Sequence, residues 1–133
     1  MSGNVLFILT ENSHAASFYK MCEAKYKVKI VNNIDGALNL ITKFIPDVIV
    51  YEMNYGQIEN LKKLTRSRLQ KFSIPVIVVA AENNLEFERY VRMENITYYF
   101  LYPVNVEEMD EALSSCIKQQ GKRKYLWITE VKE

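Results

Sequence analysis

Two apolar runs, Val48-Ile49-Val50-Tyr51 and Val76-Ile77-Val78-Val79-Ala80-Ala81, constrain the fold of this chain more than any other feature. Neither shows the alternation of a half-wet strand, and each follows a proline, Pro46 or Pro75. Runs of this length, apolar on both faces, are strands buried on both sides, as in a parallel sheet covered by helices. Pro75 is tolerable because it stands at the start of its strand. The first run ends in one carboxylate, Glu52. The carboxyl end of a central strand is where open α/β sheets place ligands and chemistry.

Strands and helices alternate around these runs. Val5-Leu6-Phe7-Ile8-Leu9 reads as a buried strand, followed by Asn12 or Ser13 as a helix cap and by Ala15, Phe18, Tyr19 and Cys22 at helical spacing. From Tyr26 to Val31, Val28 and Ile30 alternate with lysines, which predicts an edge strand with one wet face. A second helix begins at Asp35, carries Ala37, Leu38, Ile41 and Ile45 as its stripe, and stops at Pro46. A third carries Ile58, Leu61, Leu64 and Leu69. A fourth carries Leu85, Tyr90, Val91 and Met93, with Asn95 in the left-handed position that ends it. Ile96 to Tyr102 is an aromatic-rich strand broken by Pro103, and Val106, Met109, Leu113 and Ile117 mark a last helix that Gly121 closes. Five strand–helix repeats predict a doubly wound α/β sandwich, a parallel sheet with helices on both faces.

With 133 residues the chain has room for one domain with a proper core. Seventeen basic against 16 acidic residues leave a net charge of +1, so no one-sign field points to nucleic acid or a membrane surface. The apolar runs fall far short of the ~18 residues of a membrane span. Met-Ser-Gly-Asn passes straight into a strand with no leader-like segment, and a cytoplasmic location is expected. Cys22 and Cys116 lack metal-ligand spacing and read as free buried thiols. His14, the only histidine, reads as an exposed first-turn residue. No glycine-rich turn follows Leu9, which excludes a dinucleotide fingerprint and a phosphate loop.

The unit that repeats covers residues 1–120, and 121–133 stand apart as a C-terminal extension. Lys122-Arg123-Lys124 reads as a solvated linker. Tyr125 to Val131 has strong β propensity and holds the only tryptophan, which predicts an added edge strand, a strand given to a partner, or a tail.

In order and spacing, these pieces resemble a response-regulator receiver domain of the CheY-like kind over residues 4 to about 120. The resemblance rests on Asn4–Asn12 as first strand and acidic loop, Asp35-Gly36-Ala37-Leu38 as the opening of the second helix, and Pro46–Glu52 as the strand ending in the phosphoacceptor. Ile74–Ala81 and Tyr99–Pro103 match the fourth and fifth strands. It implies a flavodoxin-like sheet with strand order 2-1-3-4-5. Family chemistry uses two acidic residues around a magnesium ion, a phosphoacceptor Asp, a Ser or Thr, and a Lys. Here Thr10 and Glu11 stand at the acidic pair, Glu52 at the phosphoacceptor, Ala80 at the hydroxyl and Tyr102 at the lysine, while Tyr99 keeps the aromatic switch position.

These substitutions remove what phosphoryl transfer needs, positioning and neutralisation of charge on the moving oxygens. Tyr102 supplies no cation, Ala80 no hydroxyl, and Glu52 extends one methylene further than Asp. Glu11 and Glu52 remain weak metal candidates, and neither magnesium nor another cofactor is expected. The two carboxylates are expected to face each other across the strand ends, with the Tyr102 hydroxyl turned toward Glu52. The reading is a non-enzymatic pseudo-receiver that acts by protein–protein contact, with Tyr90, Tyr98 and Tyr99 on its docking face. A histidine kinase, an output protein or a second copy in a homodimer are the partners it implies. Two alternatives stand beside it: a working phosphoswitch, and a regulatory domain separated from its output domain.

Overall fold

The structure, a computed structural model, describes residues 3–9, 16–41, 43–66, 73–81 and 84–132, with the side chains of 16, 17, 55 and 122–132 left aside. Strands β1 (Asn4–Ile8), β2 (Lys27–Val31), β3 (Val48–Met53), β4 (Val76–Ala80) and β5 (Tyr98–Leu101) alternate with helices α1 (Ala16–Glu23), α2 (Ile34–Ile41), α3 (Ile58–Thr65), α4 (Leu85–Met93) and α5 (Val106–Lys132). The strands form one sheet in the order β2-β1-β3-β4-β5, every neighbour parallel. This is the doubly wound α/β sandwich that the alternation predicts, with the lysine-bearing β2 at an edge.

The period-two geometry of the strands sorts the core into two layers. Leu6, Ile49, Tyr51, Val78 and Ala80 pack with α2, α3 and α4, whereas Val5, Phe7, Val48, Val50, Ile77 and Val79 pack with α1 and α5. All six residues of β3 are buried, as its unbroken apolar run requires. Glu52 continues the alternation of Val48 and Val50, which puts it on the α1/α5 side at the carboxyl end of the central strand.

Asn side chains start several elements. Asn33 Oδ1 accepts the Gly36 N–H at 2.6 Å, so α2 begins at Ile34 under an Asn33 cap and not at Asp35. Asn54 caps the 3-10 turn Tyr55–Gln57 that leads into α3, and Asn84 Oδ1 accepts the Phe87 N–H at 3.1 Å at the head of α4. Satisfying these otherwise orphaned N–H groups fixes where each helix starts.

Other expectations need correction. Ile45 lies past the end of α2 and is exposed, while Ile34 is buried in its place. In α4 the buried residues are Phe87 and Val91, and Leu85, Tyr90 and Met93 face outward. The helix does not end through a left-handed Asn95, because Ser73 is the one described non-glycine residue with positive φ. Instead extended Glu94 ends it, its buried carboxylate accepting Thr65 Oγ1 at 3.2 Å and Arg66 Nη2 at 3.3 Å. Gly121 does not close α5, which runs on to Lys132, so Tyr125–Val131 is helix and neither strand nor tail. Leu69 and the caps Asn12 and Ser13 lie outside the described residues.

Candidate functional site: a carboxylate pocket and an apolar face

Glu52 is only 6% exposed although it ends a strand. It pairs in register with Val79, and Met53 with Ala80, so the fourth strand brings a bare methyl beside the carboxylate's neighbour. The chain then returns along β5, where the Tyr102 N–H donates to the Ala80 carbonyl at 2.9 Å. That bond places position 102 at the carboxyl end of the sheet, next to β4. Glu52 and Tyr102 line one cavity of about 170 Å³, walled otherwise by apolar residues such as Phe7, Phe18, Val50, Val79 and Met109. No lysine or arginine among the described residues lines it.

Glu52, Ala80 and Tyr102 all lie at the carboxyl end of the sheet, Glu52 and Tyr102 on one cavity and Ala80 in the opposite layer of the core. Thr10 and Glu11 lie outside the described residues, as does His14, and so does the expected approach of Glu11 to Glu52. Among the described residues no cluster of three His, Cys, Asp or Glu side chains is arranged to hold a metal ion.

Tyr99 sits on the opposite layer, packed against the core that contains Ala80. Its hydroxyl is buried and has no hydrogen-bond partner among the described residues. Arg92 lies over the ring with its guanidinium carbon 5.2 Å from the centroid, and its Nε donates to Glu88 Oε2 at 2.8 Å. Burial pushes the Tyr99 phenol above its ordinary value, Glu88 adds to the rise, and Arg92 opposes it. The Arg92 contact was not legible in the sequence, because Arg92 lies among the charged positions of a helix and reveals its ring partner only once β5 is placed.

Large exposed hydrophobics concentrate on α4, the edge strand β5 and the segment that follows it. Of the ten described ones, seven fall between Leu85 and Val106: Leu85, Tyr90, Met93, Tyr98, Leu101, Tyr102 and Val106. Met93 is 77% and Leu85 64% exposed, an unusual state for a pair one helical face apart on α4. Scattered surface hydrophobics need no explanation, but a clustered set on adjacent elements marks an interaction site. Tyr90 and Tyr98 belong to this face, while Tyr99 stands half-buried beneath it.

The sheet order and the position of the pocket define the fold of response-regulator receiver domains. Solved structures share it: the signal receiver domain of a modulated diguanylate cyclase from Desulfovibrio desulfuricans G20 superposes with a TM-score of 0.74 at 16% identity, covering 91% of this chain and 98% of that one. The CheY-like receiver domain protein from Methanospirillum hungatei JF-1 gives 0.72 at 18% identity over 92% of this chain and 98% of that one. NtrX from Brucella abortus gives 0.75 at 12% identity, with 97% of this chain covering 29% of that one. No family model and no curated protein matches the sequence. No helix of the described residues is long and apolar enough to cross a membrane.

Proposed function

We propose that this protein is a receiver-like signalling module of a two-component or phosphorelay type of pathway, working by protein–protein contact without phosphorylation at Glu52. The observation that carries the reading is the clustering of seven exposed hydrophobics on α4, β5 and the segment that follows them. Burying such a set against a partner provides the aromatic anchors that dominate interface energetics.

The pocket supports the same reading. A phosphoryl group entering beside Glu52 meets apolar walls and Tyr102, a tyrosine in place of a lysine. Electrostatic stabilisation is the main catalytic resource of phosphoryl transfer, and the described walls of this cavity supply no cation for it. In this reading residues 1–120 are the receiver-like unit, 121–133 are an appendage, and the partner is a histidine kinase or an output protein in the cytoplasm.

The test is incubation with acetyl phosphate, or with beryllofluoride, in the presence of magnesium. Intact mass and amide resonances around Glu52 are expected to stay unchanged. A covalent adduct at Glu52 establishes a working phosphoswitch and overturns the proposal. Paired substitution of Leu85→Ser and Tyr90→Ala is expected to abolish capture of the partner kinase or output protein while leaving the melting temperature within a few degrees, since both side chains are exposed.

A further inference from the structure

We propose that the cavity beside Glu52 is a binding site for a small organic cation, a primary amine carrying one ring about the size of benzene. Its floor is apolar: Phe7, Val50, Val79 and Met109 line it, all buried in the layer shared by the sheet, α1 and α5. Phe18 adds a second ring, set edge-on to Phe7 at 71° with the centroids 6.2 Å apart. The exposed lining residues, Tyr102, Pro103 and Val106, lie between the end of β5 and the first residue of α5 and form its rim.

Size limits the occupant. The cavity holds about 170 Å³, well below the ~300–1,000 Å³ of pockets that take drug-sized molecules. An apolar protein cavity of ~150 Å³ takes up benzene. Nucleotides and peptides are therefore too large, and a single ring with a short head group fits.

Charge selects the head group. Glu52 is the one charged side chain among the described lining residues. A carboxylate between apolar walls repels an anion, and a neutral apolar guest would strip water from it with no hydrogen bond in return. An ammonium brings the opposite charge and three donors, and such charge-assisted bonds are about twice as strong as neutral ones. A carboxylate offers about four lone-pair positions, so a bond from the protein leaves room for one from the guest. Tyr102, on the same cavity, adds a ring whose face attracts cations. The ring of the guest then displaces water from the apolar floor. This site adds to the protein-contact reading and does not depend on it: Leu85, Tyr90 and Met93 line no part of the cavity, and only Tyr102 and Val106 are common to both.

Titration of the full chain with benzylamine at pH 7, followed by amide resonances, tests the proposal. Saturable shifts are expected at Glu52, Val79, Val104 and Met109, with a dissociation constant on the order of 1 mM or below, within reach of a ligand of this size. Methylamine, which lacks the ring, and phenylacetate, which reverses the charge, are each expected to bind at least about 10-fold more weakly. Glu52→Gln is expected to weaken benzylamine at least about 10-fold and to leave the weaker binding of benzyl alcohol unchanged. Val104→Trp, which fills the cavity from its part-buried wall, is expected to abolish binding of both. Circular dichroism checks the fold of each variant, and the ligand series on the unaltered chain decides the matter even where a variant fails to fold. Absence of saturable shifts at these residues, equal binding of phenylacetate and benzylamine, or a folded Glu52→Gln that binds benzylamine undiminished overturns the proposal. So does displacement of benzylamine by millimolar magnesium chloride, which assigns Glu52 to a metal site.

Discussion

Tyr99 buries a hydroxyl that the described core leaves unmet. Its ring is held by Arg92 and by the core, yet its buried hydroxyl meets no described acceptor or donor. A buried polar group without a partner costs its desolvation free energy, so removing the oxygen is expected to stabilise. Tyr99→Phe should raise stability by about 1 kcal/mol, on the order of 4 °C in melting temperature, as read by thermal denaturation. Ala80→Thr adds a hydroxyl on the same layer of the core and is the complementary test: its stabilising effect, if the two oxygens meet, should vanish in the Tyr99→Phe background. A destabilised Tyr99→Phe variant would show that the hydroxyl is satisfied in solution. At this scale the sequence was informative wherever spacing fixed a strand end. Glu52, Ala80 and Tyr102 lie at the same end of the sheet because each terminates, or follows, a parallel strand. Burial of Glu52 was not legible, since residue order does not show how far α5 and Tyr102 close over it.

At the scale of elements, the departures from expectation concern where helices begin and end. Gly121 reads as a terminator only if it adopts the left-handed conformation, and no described glycine has positive φ. It is instead an exposed interior residue of α5, and a Cβ added there meets nothing within 4 Å. Gly121→Ala should therefore stabilise the helix by about 0.5–1 kcal/mol, seen as higher helicity in circular dichroism and slower amide exchange around the site. Gly121→Pro should do the reverse and uncouple residues 122–132. The β propensity of Tyr125–Val131 misleads because such propensities reflect packing on a pleated surface, and this segment is not part of the sheet. The fourth helix shows the opposite error. Its exposed Leu85, Tyr90 and Met93 were the apolar residues most visible in the sequence, whereas the core contact rests on Phe87 and Val91 at i, i+4. Asn84→Ala removes the cap of that helix and should cost about 1 kcal/mol in urea denaturation. Its partner affinity should fall too, because the helix carries three of the exposed hydrophobics.

For the whole molecule, two unbroken apolar runs marked β3 and β4 as interior strands and a lysine-alternating strand marked β2 as an edge, while the full strand order was legible only through the family resemblance. The same two-sided burial has a consequence for alkaline stability. Cys22 and Cys116 lie in the layer between the sheet, α1 and α5. Burial pushes the Cys22 thiol up from 9.0 to about 12, with Asp110 adding to the rise and Lys25 opposing it. Burial alone pushes Cys116 up from 9.0 to about 11. On the other layer burial raises the Tyr51 phenol from 10.0 to about 12, against a lowering hydrogen bond to Asn60. Each group is protonated in the folded protein at pH values where the unfolded chain has already ionised. The folded state then binds more protons, so stability falls as pH rises. These contributions are complete below pH 9 and decline above it. Between pH 9 and about 11 the two thiols together should lower stability by up to about 3 kcal/mol per pH unit, with Tyr51 adding above pH 10. Urea denaturation under reducing conditions across this range measures the slope. Replacing both cysteines by alanine should remove most of it between pH 9 and 10, where Tyr51 does not yet contribute, whatever the cavities cost at neutral pH. An unchanged slope in the double variant would mean that the thiols ionise in place, and hence that water reaches the layer on which α5 rests.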